Sequence, residues 1–374
     1  MKKIRLLHCI ETISSGGVER VRLTYANQMD KEIYELKIVC TQAKGKILSE
    51  LNRLGVEVIS IGTFAHPMEV RKYRVLLKVI REFRPHIIHG AVFEGNSMAF
   101  VGKVIGRVPI AILEETSDPI TRSKRANRLL SFYSRFAEAV IGISPAVMDY
   151  LIKLVNVKAS KLTLIPNGLD IPGKADLEAS KLLKDKLGIN DDDVVVGAVG
   201  RVYNRVKGFS DIIDALHFLN IPTLKFLLVG NGPDLEMLKA TVRKLGLEAR
   251  VHFVGYQEDP NPFYSIMDIF CVPSHQEGFG LVAVEAMLHR LPVIGSRVGG
   301  LKDIVVDGVS GFLVPPACFQ ELASKMKVLF ESPELRKEFG ENGYKIGIEN
   351  YSSDLYFKNL DDLYQRLLRE KGII

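Results

Sequence analysis

The chain has 374 residues, 47% hydrophobic and 25% charged, a length that supports two domains of roughly 150–200 residues whose cores need no disulfide staples. Its apolar runs reach only about five to eight residues, which excludes a bilayer-spanning helix of ~20, and its composition excludes disorder. The formal charge of +6 is divided unevenly: residues 1–170 carry 26 basic and 16 acidic side chains, the remainder 24 and 28, so an anionic partner (membrane surface, phosphorylated ligand or nucleic acid) is expected on the N-terminal half.

Met1-Lys2-Lys3-Ile4 opens like an export signal, but the apolar run after it is short and broken by His8 and Glu11, so it reads as a first β-strand, Ile4–Ile10. Strand-like runs follow at Leu36–Cys40, Val56–Ile61, His86–His89, Pro109–Leu113, Ala139–Ile143 and Leu162–Ile165. Segments of helical spacing lie between them, among them Val18–Met29, Lys46–Leu54 and Tyr73–Phe83. The theme restarts at Val194–Val199, Lys225–Val229, Val251–Val254, Ile269–Val272, Pro292–Ile294 and Gly311–Val314. Such alternation builds parallel sheets covered on both faces, and two series predict two doubly wound α/β domains. Turn chemistry in Ile165–Gly173 and the polar run Asn190–Asp193 put the boundary between them at about 170–190. The domains are then 1–170 and 190–350, with a last helix over Tyr351–Leu368. The four cysteines (Cys9, Cys40, Cys271, Cys318) are scattered, which points to buried thiols in a reducing compartment and against a zinc or disulfide framework.

Doubly wound sheets bind ligands at the carboxyl ends of their strands. The first strand ends at Gly16-Gly17, where a helix start favours an anion, although a plain βα turn needs the same two glycines. It is not the dinucleotide pattern GxGxxG, and no acidic residue follows the second strand, so NAD is a poor fit. In the second domain Gly200-Arg201 and Lys207-Gly208 bracket one loop, and two fixed cations there suit a diphosphate. Val254–Tyr256 offers an apolar edge for a base. The strongest segment is Pro273-Ser-His-Gln-Glu277-Gly-Phe-Gly280-Leu-Val-Ala-Val-Glu285-Ala-Met, in which a strand runs into a Gly-rich loop and then a helix. Glu285 has apolar neighbours, and a carboxylate in such company needs a partner such as a pair of sugar hydroxyls.

The frame Pro-Ser-x-x-Glu-Gly-Phe-Gly-Leu-x-x-x-Glu-Ala-Met resembles the signature of family 4 retaining glycosyltransferases of the GT-B fold. The landmarks Gly16-Gly17, Pro166–Asp170, Gly200-Arg201, Lys207-Gly208, Val229–Pro233 and Gly295–Gly300 stand in the matching order. The resemblance implies two Rossmann-like domains facing a central cleft, with the last helix (351–374) packing back on the first domain. It implies that Arg201 and Lys207 hold the diphosphate of a nucleotide sugar, and that Glu277 contacts the donor sugar. Glu285 would take the ribose hydroxyls, the Val254–Tyr256 edge the base, and Gly278, Phe279, Gly280 and Leu281 would line the sugar and phosphate. Gly16-Gly17 and Gly200 would complete the phosphate cradle. It further implies a retaining, metal-independent transfer with no cofactor, from a nucleoside-diphosphate sugar (UDP expected) to a glycan or lipid-linked acceptor in cell-envelope synthesis.

One departure stands out. Relatives often carry a Glu-His pair after the fifth strand, where this chain has Glu114-Glu115, so Glu115 is expected to serve the donor sugar or an acceptor. His89 and Glu94 are further acceptor-side candidates. A basic face on one helix (Arg71, Arg74, Lys78, Arg81) and a cluster at Arg122, Lys124, Arg125, Arg128 and Arg135 read either as solvated faces or as a contact with anionic lipid. The expected setting is therefore cytoplasmic, with peripheral attachment at the inner face of the membrane, and nucleic acid is not an expected partner. The remaining alternatives are a nucleotide-sugar epimerase of the same architecture and a catalytically silent nucleotide-sugar-binding partner.

Overall fold

Strands covered by helices on both faces are buried on both, and the central runs are: every residue of Ile87–Ala91 and of Ile110–Glu115 is buried, mostly apolar but with His89, Glu114 and Glu115 among them. The computed structural model describes residues 3–14, 16–63, 69–116, 122–174 and 176–374. The first half forms β1 (Ile4–Ile13), α1 (Gly17–Gln28), β2 (Tyr34–Ala43), α2 (Lys46–Arg53), β3 (Glu57–Ser60), α3 (Val70–Phe83), β4 (Ile87–Ala91), α4 (Val92–Val104), β5 (Ile110–Glu115), α5 (Lys124–Phe136), β6 (Ala139–Gly142), α6 (Pro145–Lys153) and β7 (Leu162–Leu164). The second half forms α7 (Leu177–Leu187), β8 (Val194–Val199), α8 (Asn204–Lys207), α9 (Phe209–Leu219), β9 (Leu224–Val229), α10 (Leu235–Lys244), β10 (Val251–Gly255), α11 (Asn261–Tyr264), β11 (Ile269–Val272), α12 (Leu281–Leu288), β12 (Val293–Ser296), α13 (Leu301–Ile304), β13 (Gly311–Val314), α14 (Phe319–Glu331), α15 (Pro333–Tyr351) and α16 (Ser353–Glu370).

Two parallel sheets result, ordered β3-β2-β1-β4-β5-β6-β7 and β10-β9-β8-β11-β12-β13. Each reverses its winding once, between β1 and β4 in the first and between β8 and β11 in the second, and such switch points are where open α/β sheets bind ligands. The chain divides into two compact units, 1–170 with 352–374, and 171–351. The C-terminal unit's core includes Val196, Phe226, Leu228, Ile269 and Ile294 from its sheet, closed by Ile212, Leu216 and Met326 from helices.

Several elements differ from the sequence reading. β1 and β5 run past their apolar stretches to Ile13 and Glu115, because Thr12 and Glu114 still pair in the ladder with Gln42 and Ile141. The expected helix over Tyr351–Leu368 is α16, starting two residues later: α15 ends at Tyr351, and Ser352 breaks the run and caps α16 with its side chain. Leu360, Leu363, Tyr364, Leu367 and Leu368 then form the buried stripe of α16, which packs within the N-terminal unit. Gln28 ties it down, donating to Ser353 Oγ at 2.9 Å and Asp354 Oδ1 at 2.8 Å. All four cysteines are free thiols, Cys9, Cys40 and Cys271 being buried. No helix among the described residues is long and apolar enough to cross a membrane.

Candidate active site

In the C-terminal unit, the loops leaving β8 and β11 come from adjacent strands at the switch point. Gly200 follows β8, Arg201 is exposed, and Lys207 ends the single turn of α8. Asn204 fixes this loop: its backbone donates to Asp234 Oδ2 at 2.7 Å, and its amide exchanges bonds with the Ser210 backbone and hydroxyl at 2.9 Å each. Gly208 separates α8 from α9 at φ +63°, and a Cβ there would strike the Pro273 carbonyl. Only glycine allows the two loops this close. His275 donates its backbone N–H to the Val206 carbonyl at 2.8 Å and places Nε2 3.0 Å from Asp211 Oδ2, lacing the loops together a second time.

The approach brings Lys207 and Glu277 together. Lys207 Nζ donates to Glu277 Oε2 at 2.6 Å, and Ser274 Oγ donates to the same oxygen at 3.2 Å. Both side chains keep part of their surface open, 26% for Lys207 and 13% for Glu277, so the pair borders solvent. Gly278 is half-buried and Phe279 is buried edge-to-face against Tyr351. Gly280 adopts φ +107° and Leu281 opens α12. Behind this loop, a Cβ on Gly299 would collide with the Glu277 carbonyl, so the Gly299-Gly300 backbone sets how far Glu277 projects.

Glu285 lies one turn into α12 and is half-buried. Tyr264 donates its hydroxyl to Glu285 Oε2 at 2.7 Å and stacks on His289 at 4.7 Å between ring centroids. The carboxylate is thereby held by a side chain whose role the sequence did not disclose, 21 residues upstream in α11. Val254 sits in β10, half-buried, and Tyr256 follows the strand with 55% of its surface exposed.

In the N-terminal unit, Gly16 is the N-cap of α1 and Gly17 its first residue. Glu19, 8% exposed, folds back beneath them and accepts from Thr12 Oγ1 at 2.7 Å and Ser14 Oγ at 3.4 Å. This helix start thus already carries a negative partner. Glu94 is half-buried in the first turn of α4, next to Val92, whose φ of +64° is costly for a β-branched residue and of a kind found at functional sites. Burial, with Glu94 and Glu19 adding repulsion, raises the carboxyl of Glu11.

His89 and Glu115 have internal surroundings. Glu115 is fully buried and ion-paired with Arg122 at 2.9 Å; residues 117–121, which continue that loop, lie outside the described residues. His89 is fully buried beneath α16, its Nδ1 2.6 Å from the Tyr364 hydroxyl, which also stands 3.0 Å from His8 Nε2. His89 Nε2 is 3.0 Å from Glu114 Oε2, out of line for a hydrogen bond, and Arg22 donates to that same oxygen. Burial alone would raise the Glu114 carboxyl; the Arg22 charge, helped by His89, overcomes it and holds the group at about 2. Of the three acceptor-side candidates, only Glu94 therefore reaches a partly open surface. The Arg22–Glu114 pair was not anticipated, although Arg22 falls within the apolar stripe Val18, Val21, Tyr25, Ala26 of α1, a signal that it faces inward.

Two doubly wound parallel-sheet units of this order define the GT-B type of architecture. Residues 15–171 match the model of Glycosyltransferase Family 4, and residues 180–346 match Glycosyl transferases group 1. The chain belongs to the family 4 glycosyltransferases. It is 24% identical to the capsular polysaccharide biosynthesis glycosyltransferase CapM of Staphylococcus aureus over 99% of each chain. In fold it resembles Anabaena Alr3699/HepE, solved in complex with UDP-glucose, with a TM-score of 0.87, 24% identity and coverage of 97% of this chain and all of that one. The sucrose-phosphate synthase of Thermosynechococcus elongatus is similar with a TM-score of 0.81, 21% identity and coverage of 98% and 100%.

Proposed function

We propose that the protein is a retaining, metal-independent glycosyltransferase that moves a sugar from a UDP-sugar to a glycan or lipid-linked acceptor in cell-envelope polysaccharide synthesis. The observation that carries this reading is the Lys207–Glu277 contact at 2.6 Å, which joins the two loops of the C-terminal switch point. A donor diphosphate placed there meets Lys207 as a point charge and Arg201 as a fork donor, and both offset the charge that develops on the leaving UDP. Neutralisation by these two cations is the basis for a mechanism without a metal. Glu277, oriented by Lys207 and Ser274, accepts from donor-sugar hydroxyls, and Glu285, oriented by Tyr264, accepts from the ribose. The base lies along Val254 and Tyr256. The acceptor hydroxyl attacks the anomeric carbon on the face from which UDP departs: the bond to the diphosphate oxygen breaks as the new C–O bond forms, and the hydroxyl proton passes to that departing oxygen, so configuration is kept and no protein nucleophile is needed.

The names of the relatives support the substrate classes: CapM is a capsular polysaccharide enzyme, and HepE was solved with UDP-glucose. The test is calorimetric titration with a panel of UDP-sugars, followed by measurement of slow donor hydrolysis. Lys207→Ala and Glu277→Ala should each weaken donor binding at least tenfold, the cost of one charge-assisted contact. Unchanged binding in both variants overturns the site. Conversion of the donor to an epimer without hydrolysis or transfer would favour an epimerase, and binding with no turnover a silent partner.

A further inference from the structure

The amino ends of the N-terminal unit's strands, the edge opposite the one discussed above, carry a second concavity. An open bay of about 560 Å³ lies beside the starts of β1, β4 and β5, in the size range of small-molecule sites. Arg5, Arg81, Arg84, Arg107 and His86 line it, Leu77, Ile80 and Ile105 give it an apolar wall, and no acidic residue contributes. None of the four arginines has a carboxylate at ion-pair distance among the described residues, whereas Lys78 on the same helix as Arg81 is paired with Glu82. Four like charges around one concavity repel one another and concentrate positive potential there.

The backbone is also unusual. Arg84 and Arg107, both lining the bay, adopt left-handed conformations at φ +51° and +56°, uncommon outside glycine and asparagine. Arg5 is braced from within, its Nε donating to the Arg84 carbonyl at 2.8 Å and its backbone N–H to His86 Nδ1 at 2.9 Å. On the rim Ile105 is 61% exposed and Val104 44% exposed, where a purely polar ligand would have no use for them.

We propose that this bay is an anion site for a phosphate ester that carries an apolar group. Guanidinium forks match phosphate oxygens, and the Leu77, Ile80 and Ile105 wall takes the attached hydrocarbon. Such chemistry has two sources, the headgroup of an anionic bilayer lipid and a soluble phosphate ester. The inference is independent of donor-sugar binding, since the bay lies at the amino ends of the N-terminal unit's strands and the donor residues belong to the C-terminal unit.

The probes are hexyl phosphate in calorimetric titration and vesicles of phosphatidylglycerol in phosphatidylcholine in sedimentation. The variant is Arg81→Gln with Arg107→Asn, exposed positions at which glutamine keeps the helix and asparagine tolerates the left-handed backbone. Hexyl phosphate should bind the native chain and bind the variant at least tenfold more weakly. Vesicle binding lost in the same variant identifies the lipid source; vesicle binding absent while hexyl phosphate binds identifies a soluble ester. Charge reversal at Arg125 and Arg128, in the first turns of α5, should leave hexyl phosphate binding unchanged. Absence of hexyl phosphate binding, or equal binding by the variant, overturns the proposal.

Discussion

Replacing Glu114 by Gln should unsettle the N-terminal unit far more than an isosteric change at an ordinary position. The side chains of Arg22 and Glu114 are 1% and 2% exposed, so the substitution leaves a guanidinium without a counter-charge in a dry interior. Breaking one partner of such a pair costs about 3–5 kcal/mol. The carboxyl's own displacement, from 4.5 to about 2, corresponds to roughly 3 kcal/mol and agrees with the lower end. For a unit of this size, the melting temperature should fall by about 6–20 °C. Replacing both partners, Arg22→Met with Glu114→Leu, should cost no more than about 2 kcal/mol, because a buried pair does little better than apolar side chains of similar volume. The chain has no Trp, so the transition is best followed by far-ultraviolet circular dichroism and calorimetry, with amide exchange along β5 and α16 as a local readout. A single variant that loses under 1 kcal/mol, or a double variant as unstable as the single one, would refute the reasoning.

Three further outcomes are expected. Tyr264→Phe should weaken UDP-sugar binding about three- to tenfold by releasing Glu285, while the cooperative unfolding temperature stays within 2–3 °C, as calorimetry would show. Gly299→Ala should abolish donor hydrolysis, since its Cβ forces the Glu277 carbonyl away; near-native rates would mean that the loop yields freely. Burial, followed by the Arg22 charge, lowers His8 and His89, so both stay neutral when folded while the unfolded chain binds a proton on each near pH 6.5. The unfolded state then holds more protons, stability is full above about pH 6.5, and it drops as the pH falls toward the lowered folded values; Glu114 adds a second loss between about pH 4.5 and about 2. Urea midpoints at pH 8, 6.5 and 5 should decline in that order, and replacing both histidines with Gln should flatten the series.

The C-terminal site was legible in sequence because each part is contiguous: a strand, a turn with glycines, and a charge at a fixed offset. Lys207 and Glu277 could be named without knowing that they touch, since each stands in the Gly-bearing segment that follows an apolar strand. The spacing did not reveal how those carboxylates are held, because Tyr264, Ser274 and the Gly299-Gly300 backbone act through approach in space. The N-terminal polar core was illegible for a stronger reason. Arg22 and Glu114 are 92 positions apart, His89 and Tyr364 275, and His8 and Tyr364 356, and the two pairings with Tyr364 exist only once the last helix has docked. His89 read as a strand-end ligand because its hydrogen-bond partner was invisible.

Glu115 shows how one residue type can satisfy opposite physical demands. A carboxylate at the end of β5 suggested a ligand for sugar hydroxyls, yet full burial makes an unpaired charge there too costly, and Arg122, seven residues on, supplies the compensation. The basic excess of residues 1–170 is therefore not one surface, and three sets within it differ in what they can reach. Arg22 and Arg122 are spent on buried carboxylates; Lys124, Arg125 and Arg128 lie exposed along α5; and Arg5, Arg81, Arg84 and Arg107 crowd the bay at the opposite edge. Unlike that buried pair, the α5 set and the bay are open to an anion. Because they lie on different elements, charge changes in one need not alter the other, so the two sets of variants separate a diffuse attraction to a charged surface from recognition of a phosphate in a shaped site.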